Sequence, residues 1–375
     1  MKKAIGVLAA VVLIFMPLRV GALSTSARAA ALINGHTGEL IYAHNADMRL
    51  PMASTTKIMT ALLLCETGVL GREIVTTKEM VTVEGSSMGL LPGDTVSYHD
   101  LLYGLLLASG NDAANTVAIA VGGSVKGFTE MMNQKAADLG LINTHFVTPS
   151  GLDAVEHYTT AKELALLARH AMQNEDFAAA AGSKSARLCY GNPPYNRTLT
   201  NHNKLLNRFS GTVGVKTGFT KKSGRCLVSA AVRDEEYVIA VTLNDGNDWN
   251  DHEKMLEYGF SALTASVFLP QKSTYALPVA GGDSEFLNIN IAPYTIGALE
   301  KEKISCVINM PQLVYPPVRS GDIVGSVEYY CDGQLFETLP VTAGTDIIKK
   351  TYKRKLKEKL LQNIYIILGE LNEGH

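Results

Sequence analysis

Three short polar clusters hold the residue types that acyl-transfer chemistry needs: Ser54-Thr55-Thr56-Lys57, Ser109-Gly110-Asn111 and Lys216-Thr217-Gly218. A serine hydroxyl becomes a nucleophile only beside a base. A lysine amine can be that base once burial or a neighbouring cation pulls its pKa down. Residues three apart share a helix face, so Ser54 and Lys57 are expected side by side. Lys216 can supply the second positive charge. Ser109 can relay a proton from Lys57 to a leaving group, and Asn111 can hold Lys57 and bond a substrate amide. Lys216 and the Thr217 hydroxyl suit a substrate carboxylate. Gly218, without a side chain, lets a substrate come close to its strand. The backbone N–H groups of Ser54, at a helix start, and of Phe219 could form an oxyanion hole. Each cluster alone has an ordinary meaning: a capping serine with an exposed lysine, a turn, a strand end. Together and in this order they read as a serine acyl-transfer site with lysine as base in place of a His/Asp pair.

The elements that must position these residues follow from the hydrophobic pattern. Two apolar runs around His36-Thr37-Gly38 signal a hairpin over 29–42. A helix is expected from Ser54 to about Glu66, where Gly68 stops it. Further helices are expected over 100–108, from 113, over 128–139 and over 160–172, with Gly110 making the turn after the second helix. Apolar, β-branched runs at 212–216, 226–232 and 237–243 predict an antiparallel meander, and 251–260 a closing helix. A sheet built from both ends of this region around a helical cluster is an α+β arrangement. Beyond about 265, short runs at 274–279, 286–291, 304–308, 323–330 and 334–342 predict a small all-β sandwich. That module carries no cluster of catalytic residue types, and is expected to be a spacer or interaction module.

The chain has 375 residues and a formal net charge of −2, with no basic bias that would suggest a nucleic-acid partner. Met1-Lys2-Lys3, an apolar stretch over 4–16 and small residues at Val20-Gly21-Ala22 predict a secretory signal peptide over 1–22. The body is therefore expected to be exported. The five cysteines, Cys65, Cys189, Cys226, Cys306 and Cys331, show no CxxC pair. No zinc site or cofactor is expected; one disulfide in an exported chain stays open. Lysines and Arg354 crowd 349–359, and an apolar run covers 360–368. This tail, taken as 346–375, suits a helix lying in an anionic membrane surface; the competing expectation is a helix packed on its own protein. The expected organisation is thus a catalytic domain over 23–264, a β domain over 265–345 and the tail.

The motif set resembles that of penicillin-binding proteins and class A β-lactamases. Over roughly 29–345 the chain is similar to the serine-type D-Ala-D-Ala carboxypeptidases, low-molecular-mass penicillin-binding proteins. Leu50-Pro51-Met52-Ala53-Ser54 through Thr60 resembles that family's nucleophile segment. Thr148 through Asp153, His157-Tyr158-Thr159-Thr160-Ala161 and Asn201 through Leu206 resemble its other signatures. The resemblance implies a β-lactamase/transpeptidase-like fold, with Ser54 as acylated nucleophile, Lys57 as base, Ser109 and Asn111 as the second motif and Lys216 as carboxylate binder. It implies removal of the terminal D-Ala from peptidoglycan pentapeptide stems, inhibition by β-lactams, and a place on the outer face of the cytoplasmic membrane or in the cell wall. Some relatives carry Arg near His202 and His in place of Phe219, so these two substrate-wall residues depart from the pattern. The segment Asn244 through His252 is similar to members from spore-forming bacteria. A class A β-lactamase would need a glutamate to activate the deacylating water, followed three residues later by Leu-Asn. Glu163 offers the Glu without the Asn. A penicillin-binding sensor that acylates without turnover shares the same motifs.

Overall fold

A computed structural model describes residues 23–234, 236–268, 275–299, 303–350 and 364. The expected signal peptide and nearly all of the basic-apolar tail lie outside these residues.

The order is β1 (Ala29–Asn34), β2 (Leu40–His44), α1 (Lys57–Glu66), β3 (Glu73–Val75), α2 (Lys78–Val81), β4 (Thr95–Ser97), α3 (Tyr98–Leu106), α4 (Asn111–Gly122), α5 (Val125–Asp138), α6 (Ala161–Met172) and α7 (Glu175–Gly182). There follow β5 (Ser185–Gly191), β6 (Pro194–Thr200), α8 (Leu205–Arg208), β7 (Thr212–Thr220), β8 (Gly224–Arg233), β9 (Glu236–Leu243) and α9 (Asp248–Ala262). The β region holds β10 (Thr264–Phe268), β11 (Tyr275–Pro278), β12 (Phe286–Asn290), β13 (Tyr294–Ala298), β14 (Ile304–Asn309), β15 (Ile323–Cys331) and β16 (Gln334–Ala343).

The central sheet runs β2-β1-β9-β8-β7, antiparallel throughout, so both ends of the catalytic region build it. Its inner strands read as continuous apolar runs because both faces are covered, rather than alternating with solvent. On β1, Ala29, Ala31 and Ile33 join the helical core, while Ala30 and Leu32 pack toward α9. On β9, Ile239 and Val241 face the helices, and Val238 and Ala240 face α9. The same alternation on β8 turns Val228 to the helical side. Lys216 is paired directly opposite Val228, and so projects toward the helices as well. β7 is the edge strand, paired on one side only with β8. α1 is buried from Lys57 to Cys65, the mark of a helix at the centre of a cluster.

Three local expectations are corrected. The segment at Ser54 opens as a 3-10 turn over Ala53–Thr56, and the α-helix begins only at Lys57. Ser109 itself, not Gly110, holds the left-handed turn, with φ +57°. Gly110 is needed for close approach: a Cβ there would lie 2.6 Å from Asp112 Oδ1 and 3.0 Å from Met88 N. A four-stranded sheet, β3-β4-β5-β6, was not expected at all; its β5–β6 hairpin covers 185–200.

The β region forms a five-stranded sheet, β11-β12-β16-β15-β14, and a two-stranded one, β10-β13. Ile296 of β13 shares a core with Leu287, Tyr329 and Val341. This region touches the catalytic one where Asn34 Nδ2 donates to Gly297 O at 2.8 Å and Lys303 meets Glu39 at 3.3 Å. It also reaches further along the chain than expected. Ile347 is buried in its core and bridges to Val318, and Lys350 N donates to Gly281 O at 2.9 Å. The pair Ile347-Ile348 before a lysine run gives too little periodicity to show this in the sequence. All five cysteines are unpaired.

Candidate active site

One cleft of about 460 Å³ lies between the helical cluster and the free edge of β7. Ser54, Ser109, His202, Thr217, Gly218 and Phe219 line it. Lys57, Asn111 and Lys216 are buried beside those residues, so all nine residues singled out from the sequence are gathered here.

Ser54 and Lys57 meet as their spacing requires: Lys57 Nζ donates to Ser54 Oγ at 3.0 Å. The same nitrogen donates to Asn111 Oδ1 at 2.7 Å and to Ser150 O at 2.6 Å. The Asn111 amide is oriented from its other end, where Nδ2 donates to Glu84 O at 2.7 Å. Asn111 thus presents its acceptor, and only its acceptor, to Lys57. Burial holds the Lys57 pKa well below the ordinary lysine value; the charge of Lys216 pushes the same way and Asp112 opposes both. A free amine within hydrogen-bond reach of a serine hydroxyl is a general base.

Lys216 is also fully buried, and burial lowers its pKa to about 7. Its Nζ donates to Thr217 O at 3.0 Å. His202 is held below its ordinary value by burial and by Lys216. Gly218 lies so close to the nucleophile segment that a Cβ there would sit 3.0 Å from Ser54 N and 3.1 Å from Met52 O. The edge of β7 therefore closes on the Ser54 amide with no side chain between them, which only glycine allows.

Sequence reasoning missed two parts of the site. Asp112 is buried, and its carboxylate accepts from Ser87 Oγ at 2.5 Å, Met88 N at 2.9 Å, Gly89 N at 3.0 Å and Leu90 N at 3.0 Å. It pins the loop that carries Ser86, another cleft residue. An acidic residue in the first turn of α4 was the available signal, but capping explains that equally well. The far wall of the cleft adds Lys204, Arg225, Asp248 and Trp249, with Arg225 paired to Asp248 at 2.7 Å. These come from three separate segments, and only the fold unites them.

Glu163 is committed elsewhere. Its carboxylate accepts from Asn143 N at 2.8 Å and from Thr144 Oγ1 at 2.5 Å, in the first turn of α6, and it does not line the cleft. The deacylating glutamate of a class A β-lactamase has no counterpart in it. Among the described residues no group of His, Cys, Asp and Glu could hold a metal ion.

Fold and site together define a serine acyl-transfer enzyme, with a buried lysine beside the serine. The chain belongs to the D-alanyl-D-alanine carboxypeptidase family, as a serine-type enzyme, for that family's model matches residues 17–247. The D-alanyl-D-alanine carboxypeptidase DacF of Bacillus subtilis is 30% identical over 355 residues, covering 91% of each chain. DacC of Escherichia coli is 33% identical over 85% of this chain and 83% of its own. Among solved structures, the Streptomyces K15 DD-transpeptidase is 33% identical with a TM-score of 0.59, covering 64% of this chain and 98% of its own. The D-alanyl-D-alanine carboxypeptidase DacD of Francisella tularensis is 25% identical with a TM-score of 0.61, covering 93% of this chain and 98% of its own. The catalytic region has the β-lactamase/transpeptidase-like fold, followed by a C-terminal β domain.

Proposed function

We propose that Ser54 attacks the carbonyl between the last two residues of a peptidoglycan stem peptide ending in D-Ala-D-Ala. Lys57 takes the Ser54 proton as the new C–O bond forms. The oxyanion sits between the N–H groups of Ser54 and Phe219. When the C–N bond breaks, Ser109 passes the proton from Lys57 to the leaving amine, and free D-Ala departs. Water, activated by the same base, then hydrolyses the Ser54 ester. Asn111 keeps Lys57 aimed at the nucleophile, Lys216 and Thr217 take the terminal carboxylate, and Phe219 and His202 form the substrate wall. The observation that carries this reading is the 3.0 Å contact of a buried, pKa-depressed lysine with the Ser54 hydroxyl.

A β-lactam presents a strained amide to the same hydroxyl and is expected to acylate Ser54. The test is intact-mass spectrometry with penicillin, beside D-Ala release from diacetyl-Lys-D-Ala-D-Ala. Wild type should carry one penicilloyl group and release D-Ala; Ser54→Ala should do neither while keeping its fold. An adduct that persists in Ser54→Ala would remove Ser54 as nucleophile. Steady-state release of D-Ala, well beyond one equivalent per enzyme, also separates a turnover enzyme from a sensor that only acylates.

The proposed setting is the outer face of the cytoplasmic membrane or the cell wall, reached through the leader over 1–22 and held by the tail on anionic lipid. What supports it is the composition of these segments and a substrate that lies outside the cell. No helix among the described residues is long and apolar enough to cross a membrane. Truncation belongs after Lys350, since Ile347 is part of the β-domain core. The truncated enzyme should keep its peptide turnover and stay in the supernatant with anionic vesicles, while the full chain sediments. Both staying in the supernatant would overturn the anchor.

A further inference from the structure

We infer that His157 is a positioning residue that acts through Thr56 to aim the backbone N–H of Ser54 into the cleft. This rests on the reading of Ser54 as nucleophile. His157 is buried, outside the cleft lining, and makes two side-chain hydrogen bonds of opposite kind. Val147 N donates to its Nδ1 at 3.0 Å. An imidazole nitrogen that accepts carries no proton, so the neutral ring has its hydrogen on Nε2. That nitrogen stands 2.8 Å from Thr56 Oγ1 and donates to it. The Thr56 hydroxyl then has its own hydrogen for Ala53 O, at 2.8 Å. A one-way chain thus runs from Val147 N–H through His157 and Thr56 to Ala53 O.

Ala53 O and Ser54 N–H belong to the same peptide unit. That unit is planar and is not one of the cis bonds of this chain, so its C=O and N–H point in opposite directions. Anchoring the carbonyl on Thr56 therefore aims the amide of Ser54 away from Thr56, on the side where Gly218 closes in. The anchor is needed because Ala53 holds φ +47°, a conformation sparsely populated by residues other than glycine and kept only where its surroundings fix it. Two further contacts brace the same segment. Leu50 and Thr159 exchange backbone hydrogen bonds at 2.8 and 3.0 Å, tying the nucleophile loop to the strand-like stretch that carries His157. Gly151 packs against Ala53 O so closely that a Cβ would lie 1.9 Å from it. An oxyanion donor contributes only if it points at the charge that develops, so a misaimed Ser54 amide costs rate rather than binding.

The experiment measures acylation by a chromogenic β-lactam under single-turnover conditions, resolving the acylation rate constant from the dissociation constant. The adduct is first mapped in wild type. Thr56→Val and His157→Phe should each slow acylation by roughly 10- to 100-fold with the dissociation constant changed by less than about threefold. Thr56→Ser, which keeps the hydroxyl, should stay near wild type. The double variant Thr56→Val/His157→Phe should be no slower than the worse single one, since both break one chain. A second measurement needs no variant: the ¹⁵N spectrum of histidine-labelled wild type should place the His157 proton on Nε2. Thr56→Val acylating at the wild-type rate, a loss confined to the dissociation constant, or a proton found on Nδ1 would overturn the role of His157 alone. A wild-type adduct on a residue other than Ser54 would overturn both this role and the reading it rests on.

Discussion

The two walls of the cleft are built on different principles. On the helical wall Lys57, Asn111 and Asp112 are each held by other side chains or by loop backbone. Lys57 has three partners, Asn111 is oriented from both ends, and Asp112 fastens the loop beside them. On the strand wall, apart from the buried Lys216, the working parts are backbone and rim: Gly218 against the Ser54 amide, the edge of β7, and Phe219, which is 65% exposed. A rigid network suits the proton transfers, which need groups fixed within hydrogen-bond reach. An open strand edge suits substrate selection, because it offers main-chain bonds to any extended peptide and leaves discrimination to a few side chains. The comparison separates variants that should lose rate from variants that should lose recognition.

The sharpest way to break it is on the helical wall. Lys57→Met keeps the bulk of the side chain and removes the base. Acylation should fall by roughly 10²- to 10⁴-fold, the usual worth of a positioned general base, with little change in substrate affinity. A loss below tenfold in single-turnover acylation would take the base role from Lys57.

On the strand wall, Lys216→Ala should discriminate between substrates. The free-acid peptide should lose roughly 10- to 150-fold in kcat/KM, the worth of a charge-assisted contact of about 1.5–3 kcal/mol, while its C-terminal amide loses far less. Equal losses on acid and amide would remove the carboxylate role.

The smallest effect is a pH dependence of KM for the free acid, which only the strand wall should show. Lys216 has a pKa lowered by burial to about 7. Below that value the free enzyme offers an ammonium to the carboxylate; above it the lysine is neutral and binding must first take up a proton. KM for the acid should therefore rise by up to about tenfold per unit above pH 7, with KM for the amide flat across the same range. Parallel profiles for acid and amide would place the titrating group elsewhere. Lys57 has the opposite requirement. It must be neutral to act, so kcat should fall as pH drops through its own depressed pKa.

How much of this was legible differs from one residue to the next. Ser54 and Lys57 were legible because an i,i+3 pair meets on any helical turn, 3-10 or α. The meander over 212–243 was legible because buried β-branched runs have no other good explanation. The β5–β6 hairpin was not, since its strands are mostly exposed and Arg187, Asn196 and Arg197 interrupt any apolar alternation. The turn at Ser109 misled for a different reason. Gly110 is the expected owner of a positive φ, yet it is spent on close packing against Asp112 and Met88, and the strained conformation falls on the serine.

The sequence by itself determined the cast: a serine and a lysine one turn apart, a second serine with an asparagine, and a lysine on an edge strand, in an order shared by penicillin-binding proteins and class A β-lactamases. These are matters of residue type and local spacing, which the chain carries in any conformation. Tertiary structure decided what the residues are. The pKa of Lys57 is lowered only because α1 is buried on all sides and a second lysine from a strand more than 150 positions away shares its enclosure. The direction of the Ser54 amide is set by a threonine three residues beyond Ala53 and by a histidine about a hundred residues away. Solvation, electrostatic coupling and peptide orientation depend on what packs around a group, and no local pattern encodes them.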